Sequence, residues 1–146
     1  ALYFSTIIAY AQGMHLLTQA SKEFGYQLKL DAIALIWRGG CIIRSTFLED
    51  IHQAYKKDQA LPHLLLDESI ATTINACLPG TRLILSTAAA NGIAIPAHTA
   101  ALSYFDAFRS ERMPLNLVQA QRDFFGAHTY ERIDKEGVFH TQWIKK

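Results

Sequence analysis

The sequence predicts an all-α fold, and three observations carry the prediction. Apolar residues recur at steps of three and four along most of the chain, no strand-type alternation persists beyond a few residues, and glycine and proline fall between the helical runs. At 146 residues the chain has the size of one domain and could bury roughly 68–70% of the surface its unfolded form exposes. Half of the residues are hydrophobic, 18% are charged and the formal net charge is +1, which argues against disorder and against an electrostatic nucleic-acid platform.

The first helix spans residues 1–24, with Leu2, Ile7, Ile8, Ala11, Met14, Leu17, Ala20 and Phe24 on its periodic positions and Gly25 as its C-terminal cap. Its small residues Ala9, Gly13 and Ala20 permit another helix to approach closely, which suits a helix crossing the middle of a bundle. His15 on that helix reads as a hydrogen-bonded packing residue rather than a ligand. Asp31 is placed to cap a helix over 32–38, and Gly39 and Gly40 break or bend it before a further run over 41–55. Trp37 and Phe47 are core candidates. Arg38 and Arg44 lie in an otherwise apolar stretch, where a buried guanidinium needs a partner, so they read as internal ion pairs or, alternatively, as phosphate contacts.

Lys56, Lys57 and Asp58 form a solvated end, Pro62 a connector and residues 64–66 an apolar plug. Asp67 caps the next helix, with Glu68 in its first turn where negative charge is favoured. That helix runs to about Leu78. Pro79 and Gly80 interrupt it, and Thr81 opens another over 82–91 that Gly92 ends. Pro96 suits the first turn of a helix over 97–111, with Leu102, Phe105 and Phe108 facing inward and His98 solvated or capping near its start. Pro114 starts the last helix, in which Leu115, Leu117, Val118, Gln121, Phe124 and Phe125 keep the rhythm and Gly126 lies just past the final turn. After Tyr130 the chain turns polar, and Val138, Phe139 and Trp143 then return without helical spacing. Such a tail needs a surface to dock on, either on its own domain or on a partner.

Residues 119–130, QAQRDFFGAHTY, hold the candidate site. Arg122 in the last helical turn and His128 beyond the glycine offer a planar fork and an imidazole to one small volume of solvent, which together make an anion clamp. On local pattern alone, the reading favoured is an arginine that faces the negative end of the helix dipole.

No complete catalytic set is present. There is no GxGxxG after a strand, no GxSxG elbow, no Walker loop and no HExxH pair. Cys41 and Cys77 sit in apolar stretches without metal-type spacing and read as reduced thiols of a cytoplasmic protein. No run of about 18 apolar residues and no signal-peptide pattern occurs. The chain starts at Ala1, already inside a helical pattern, and reads as a piece of something longer.

The segment 119–130 resembles the C-terminal signature of the decarboxylating 6-phosphogluconate dehydrogenases, and residues 36–47 (IWRGGCIIRSTF) resemble that family's other long C-terminal signature. Residues 97–109 (AHTAALSYFDAFR) and 10–13 (YAQG) are also similar to family segments. The resemblance implies a multi-helix C-terminal dehydrogenase domain over 1–130 and a short extended tail over 131–146, with the nucleotide-binding domain outside this chain. For the complete enzyme it implies NADP-dependent oxidation and decarboxylation of 6-phosphogluconate to ribulose 5-phosphate, in the pentose phosphate pathway, by a cytoplasmic homodimer. The catalytic lysine and glutamate then belong to a preceding region, and this fragment holds no catalytic, cofactor-binding or metal-binding residue. Arg122 and His128 match the pair that reaches across the dimer to the neighbouring subunit's substrate phosphate, and the tail is implied to reach that neighbour too. The expected fragment is inert by itself and binds no nucleic acid and no membrane. The competing reading is a stand-alone helical dimerisation or anion-binding module without catalysis.

Overall fold

The computed structural model describes residues 1–143, and the expected tail residues 144–146 lie outside them. The described residues form α1 (Leu2–Phe24), α2 (Leu30–Trp37), α3 (Phe47–Lys57), α4 (Glu68–Ala90), α5 (Pro96–Phe108) and α6 (Asn116–Gly126), with a 3-10 turn at Leu64–Leu66. The only strands among them are β1 (Tyr130–Glu131) and β2 (Val138–Phe139), an antiparallel pair that places Tyr130 opposite Phe139. The all-α expectation holds. The chain divides into two compact units, residues 1–106 and the residues from 107 onward, and the boundary expected at residue 130 falls inside the second.

In the first unit α1 buries Phe4, Ile7, Ile8, Ala11 and Met14, spaced by one, three and four residues as a single helical stripe requires. Phe4 meets Phe105 of α5 edge to face, with ring centroids 5.4 Å apart. Gly25 ends α1 in the left-handed conformation, with φ 67°. Gly13 and Ala9 have no close helical neighbour in this unit: Gly13 faces open space and Ala9 is exposed. Asp67 caps α4 as expected, its Oδ1 accepting from the amides of Ser69 and Ile70 at 3.0 Å each.

Several local expectations are corrected. Asp31 is not a cap: α2 begins at Leu30 behind an extended Lys29, and Asp31 lies in the first turn. The helix expected over 41–55 starts only at Phe47, because Gly40 turns the chain at φ 69° and the following residues run as turns, leaving Ile42 99% exposed. Arg38 and Arg44 are therefore exposed, not buried; Arg38 pairs with Glu49 at the surface, where such pairs contribute little. Trp37 is half-buried, whereas Phe47 is fully buried.

The break expected at Pro79 does not occur. Ile74, Thr81 and Ala88, seven residues apart, keep one face of α4 buried on both sides of the proline, and this packing outweighs the hydrogen bond that Pro79 cannot donate. Thr81 Oγ1 donates to Cys77 O at 2.9 Å within the same stretch. His98, expected to be solvated or capping, is half-buried, and its Nδ1 meets Ser5 Oγ at 2.7 Å and ties α5 to α1. Phe108 is 40% exposed and does not join the core. No helix of the described residues is long and apolar enough to cross a membrane.

Candidate functional site

The second unit is built around the end of α6. The helix runs one residue further than expected, so Gly126 is its last residue and Ala127 takes the left-handed cap, with φ 50° and ψ 40°. Thr129 is also left-handed, at φ 63°. Neither residue type favours that region, least of all β-branched threonine, so the turn that carries His128 stores strain and must be held from outside.

Side-chain bonds hold it, two from α6 and one within the turn. Thr129 N donates to Asp123 Oδ1 at 3.0 Å, Gln119 Nε2 donates to Thr129 O at 2.6 Å, and Thr129 Oγ1 donates to His128 O at 2.6 Å. The same Gln119 amide accepts from Arg122 Nη1 through its Oε1, at 3.3 Å. One glutamine thus joins the guanidinium to the turn that carries His128, whose main-chain carbonyl accepts from Thr129 Oγ1. Arg122 and His128 are both exposed.

The acid next to Arg122 is not available to neutralise it. Asp123 is fully buried, and its four bonds run inward: Oδ1 accepts from Thr129 N and His140 Nδ1, and Oδ2 from Thr141 N and Trp143 Nε1, all within 2.9–3.0 Å. Burial alone would raise the pKa of this carboxyl, but the donors from His140, Thr141, Trp143 and Thr129 outweigh it and hold the group well below the usual carboxylate range. Asp123 stays ionised, yet its charge is spent on the tail and the turn. Arg122 meets the neutral amide of Gln119 and not this carboxylate.

Gly126 completes the geometry. A Cβ added there would come within 3.1 Å of His128 Nε2 and 3.2 Å of its Cδ2, so the imidazole lies against bare backbone. The apolar residues expected to bury α6 do not: Leu117 is 82% exposed and Phe125 74%, while Phe124 packs edge to face on Trp143 at 5.9 Å between centroids. The described part of the tail, up to Trp143, docks on its own unit through Asp123.

Sequence reading missed Asp123, Gln119 and the true role of Gly126. One signal was available: a carboxylate in the last turn of a helix opposes the dipole and needs strong donors to remain there. A cleft of about 480 Å³ nearby is lined by Arg112, Gln119, Tyr130, Arg132 and Trp143 among others, but it includes neither Arg122 nor His128, and its Arg132 is already paired with Asp134. Among the described residues no group of three or more His, Cys, Asp or Glu side chains is arranged to hold a metal.

Six helices and a small terminal hairpin among the described residues define the class as a helical module. Residues 1–143 match the family model described as 6-phosphogluconate dehydrogenase, C-terminal domain, and the chain belongs to that family. It is 48% identical to the NADP(+)-dependent, decarboxylating 6-phosphogluconate dehydrogenase of Bacillus subtilis over 99% of this chain and 31% of that protein. The decarboxylating enzyme of Lactococcus lactis subsp. lactis is 52% identical over 98% of this chain and 30% of its own length. The solved Plasmodium falciparum 6-phosphogluconate dehydrogenase, described in its apo form and in complexes with NADP+ and with 6-phosphogluconate, superposes with a TM-score of 0.88 at 51% identity, over 97% of this chain and 30% of that one. The chain therefore spans about 30% of the length of the relatives it matches.

Proposed function

We propose that this chain is the C-terminal part of an NADP-dependent 6-phosphogluconate dehydrogenase, in which Arg122 and His128 hold the substrate phosphate of the neighbouring subunit. The complete enzyme is a cytoplasmic homodimer that oxidises the C3 hydroxyl of 6-phospho-D-gluconate and decarboxylates the product to D-ribulose 5-phosphate. The general-base lysine, the proton-donating glutamate and the NADP site belong to the preceding part of that enzyme. The homodimer binds no nucleic acid.

The observation that carries the site is the cluster Arg122–Gln119–Thr129–His128, with the adjacent carboxylate of Asp123 turned away from it. A guanidinium bonds a phosphate in bidentate fashion, and an imidazole adds a donor. Held at a distance from the reacting carbon, the phosphate positions the substrate and contributes binding energy that chemistry can use. The exposed Leu117, Phe125 and Ile133, at 82%, 74% and 82%, support a partner surface on this unit.

The test is Arg122→Ala in the complete enzyme. KM for 6-phosphogluconate should rise by about 10- to 100-fold, the effect of losing a charge-assisted pair, and KM for NADP should change less than about twofold. Equal losses for both ligands would count against the assignment.

A further inference from the structure

Asp123 touches no solvent, so it cannot meet a ligand, yet its Oδ1 holds the amide of Thr129, the residue that follows His128. We infer that Asp123 is a positioning residue: through Thr129 it holds the left-handed turn that presents His128 to the phosphate, while His140 on the same oxygen and Thr141 and Trp143 on Oδ2 tether the tail. This inference rests on the phosphate-clamp reading above.

The argument is one of donors. Ala127 and Thr129 sit at φ 50° and 63°, a conformation that non-glycine residues leave unless something holds them. The Thr129 amide has the Asp123 carboxylate as its acceptor, and a charged acceptor makes the stronger kind of hydrogen bond. In Asp123→Asn one oxygen becomes an NH2 group. Facing Thr141 N and Trp143 Nε1, that group would oppose two donors at once. Facing Thr129 N and His140 Nδ1 it opposes one, because the imidazole can offer a lone pair by changing tautomer. The amide therefore settles on the Thr129 side, and the variant releases the His128 turn while keeping the tail bonded. Trp143→Phe does the reverse, removing one donor from Oδ2 only.

The experiment compares D123N and W143F in the complete enzyme, with Arg122→Ala and His128→Ala as controls. D123N should raise KM for 6-phosphogluconate about tenfold, as the loss of one charge-assisted bond implies, with kcat and KM for NADP within about twofold. W143F should leave all three within about twofold. Hydrogen exchange of the wild-type peptide covering 127–131, read without substrate, should already be slow, and this remains decisive if D123N does not fold. Rapid exchange there, an unchanged KM in D123N, or equal rises in D123N and W143F would overturn the positioning role while Arg122→Ala still raises KM. If neither Arg122→Ala nor His128→Ala raises KM, the clamp reading itself fails and takes this inference with it.

Discussion

The imidazole of His128 rests on the bare Cα of Gly126: any Cβ at that position would stand 3.1 Å from Nε2. Gly126 is helical, so its hydrogen serves the ring and not a left-handed cap, which Ala127 provides. Gly126→Ala should gain the alanine's helix propensity, about 0.5–1 kcal/mol, and push the ring aside by a few tenths of an ångström. In the complete enzyme the expected outcome is a higher melting temperature together with a KM for 6-phosphogluconate raised several-fold, checked by thermal unfolding and steady-state kinetics.

Gln119 links Arg122 to the turn that carries His128, taking Arg122 Nη1 on its oxygen and giving its NH2 to Thr129 O. Gln119→Glu keeps the length but replaces the NH2 donor by an acceptor facing a carbonyl, and it sets a carboxylate beside Arg122. The added charge competes with the ligand for the guanidinium. KM for 6-phosphogluconate should rise about tenfold or more and, unlike that of Gln119→Met, should fall back as salt is added.

His63 gives the first unit a pH dependence. It is buried, its Nδ1 accepts from Leu65 N at 3.2 Å, and so its Nε2 carries the proton that faces Tyr104 Oη at 2.8 Å. Burial, assisted by the neighbouring His15, lowers its pKa from 6.5 to about 4. Between these values the unfolded chain binds the extra proton and the folded chain does not, so stability rises with pH through this window and is lost as pH falls from about 6.5 to about 4. With partial solvent screening the loss should be roughly 1–2 kcal/mol, and denaturant melts of wild type and His63→Gln should converge in slope against pH if His63 is not its source.

Pro79 and Gly80 sit inside α4 although neither favours a helix. Nothing lies within 4 Å of a Cβ built on Gly80. Gly80→Ala should stabilise by about 0.5–1 kcal/mol, and Pro79→Ala by about 1–2 kcal/mol after the unfolded chain's regained freedom is subtracted. Urea unfolding measures both; a destabilising Gly80→Ala would mean that another surface occupies that side of the helix.

Much of the fold was legible because local chemistry and packing agree there. The apolar stripe of α1, its stop at Gly25 and the Asp67 cap each follow from residue type alone. Where the reading failed, a longer-range interaction had overridden local preference. Pro79 reads as a stop, but the buried spacing of Ile74, Thr81 and Ala88 carries the helix through it. Gly126 reads as a cap, yet Asp123 lets Ala127 and Thr129 take the left-handed positions instead. Arg122 and His128 were legible as residue types, whereas Asp123 was not, because its partners Thr141 and Trp143 lie 18 and 20 residues away.

The two oxygens of one carboxylate close a loop from residue 123 to residue 143 without a covalent bond, much as a clasp closes a strap. Such a segment opens as a unit, since freeing the tail strips Asp123 of three of its four donors and lets water compete with Thr129 N for the carboxylate. A protease that nicks the exposed hairpin between β1 and β2 would therefore disarm a site it never touches.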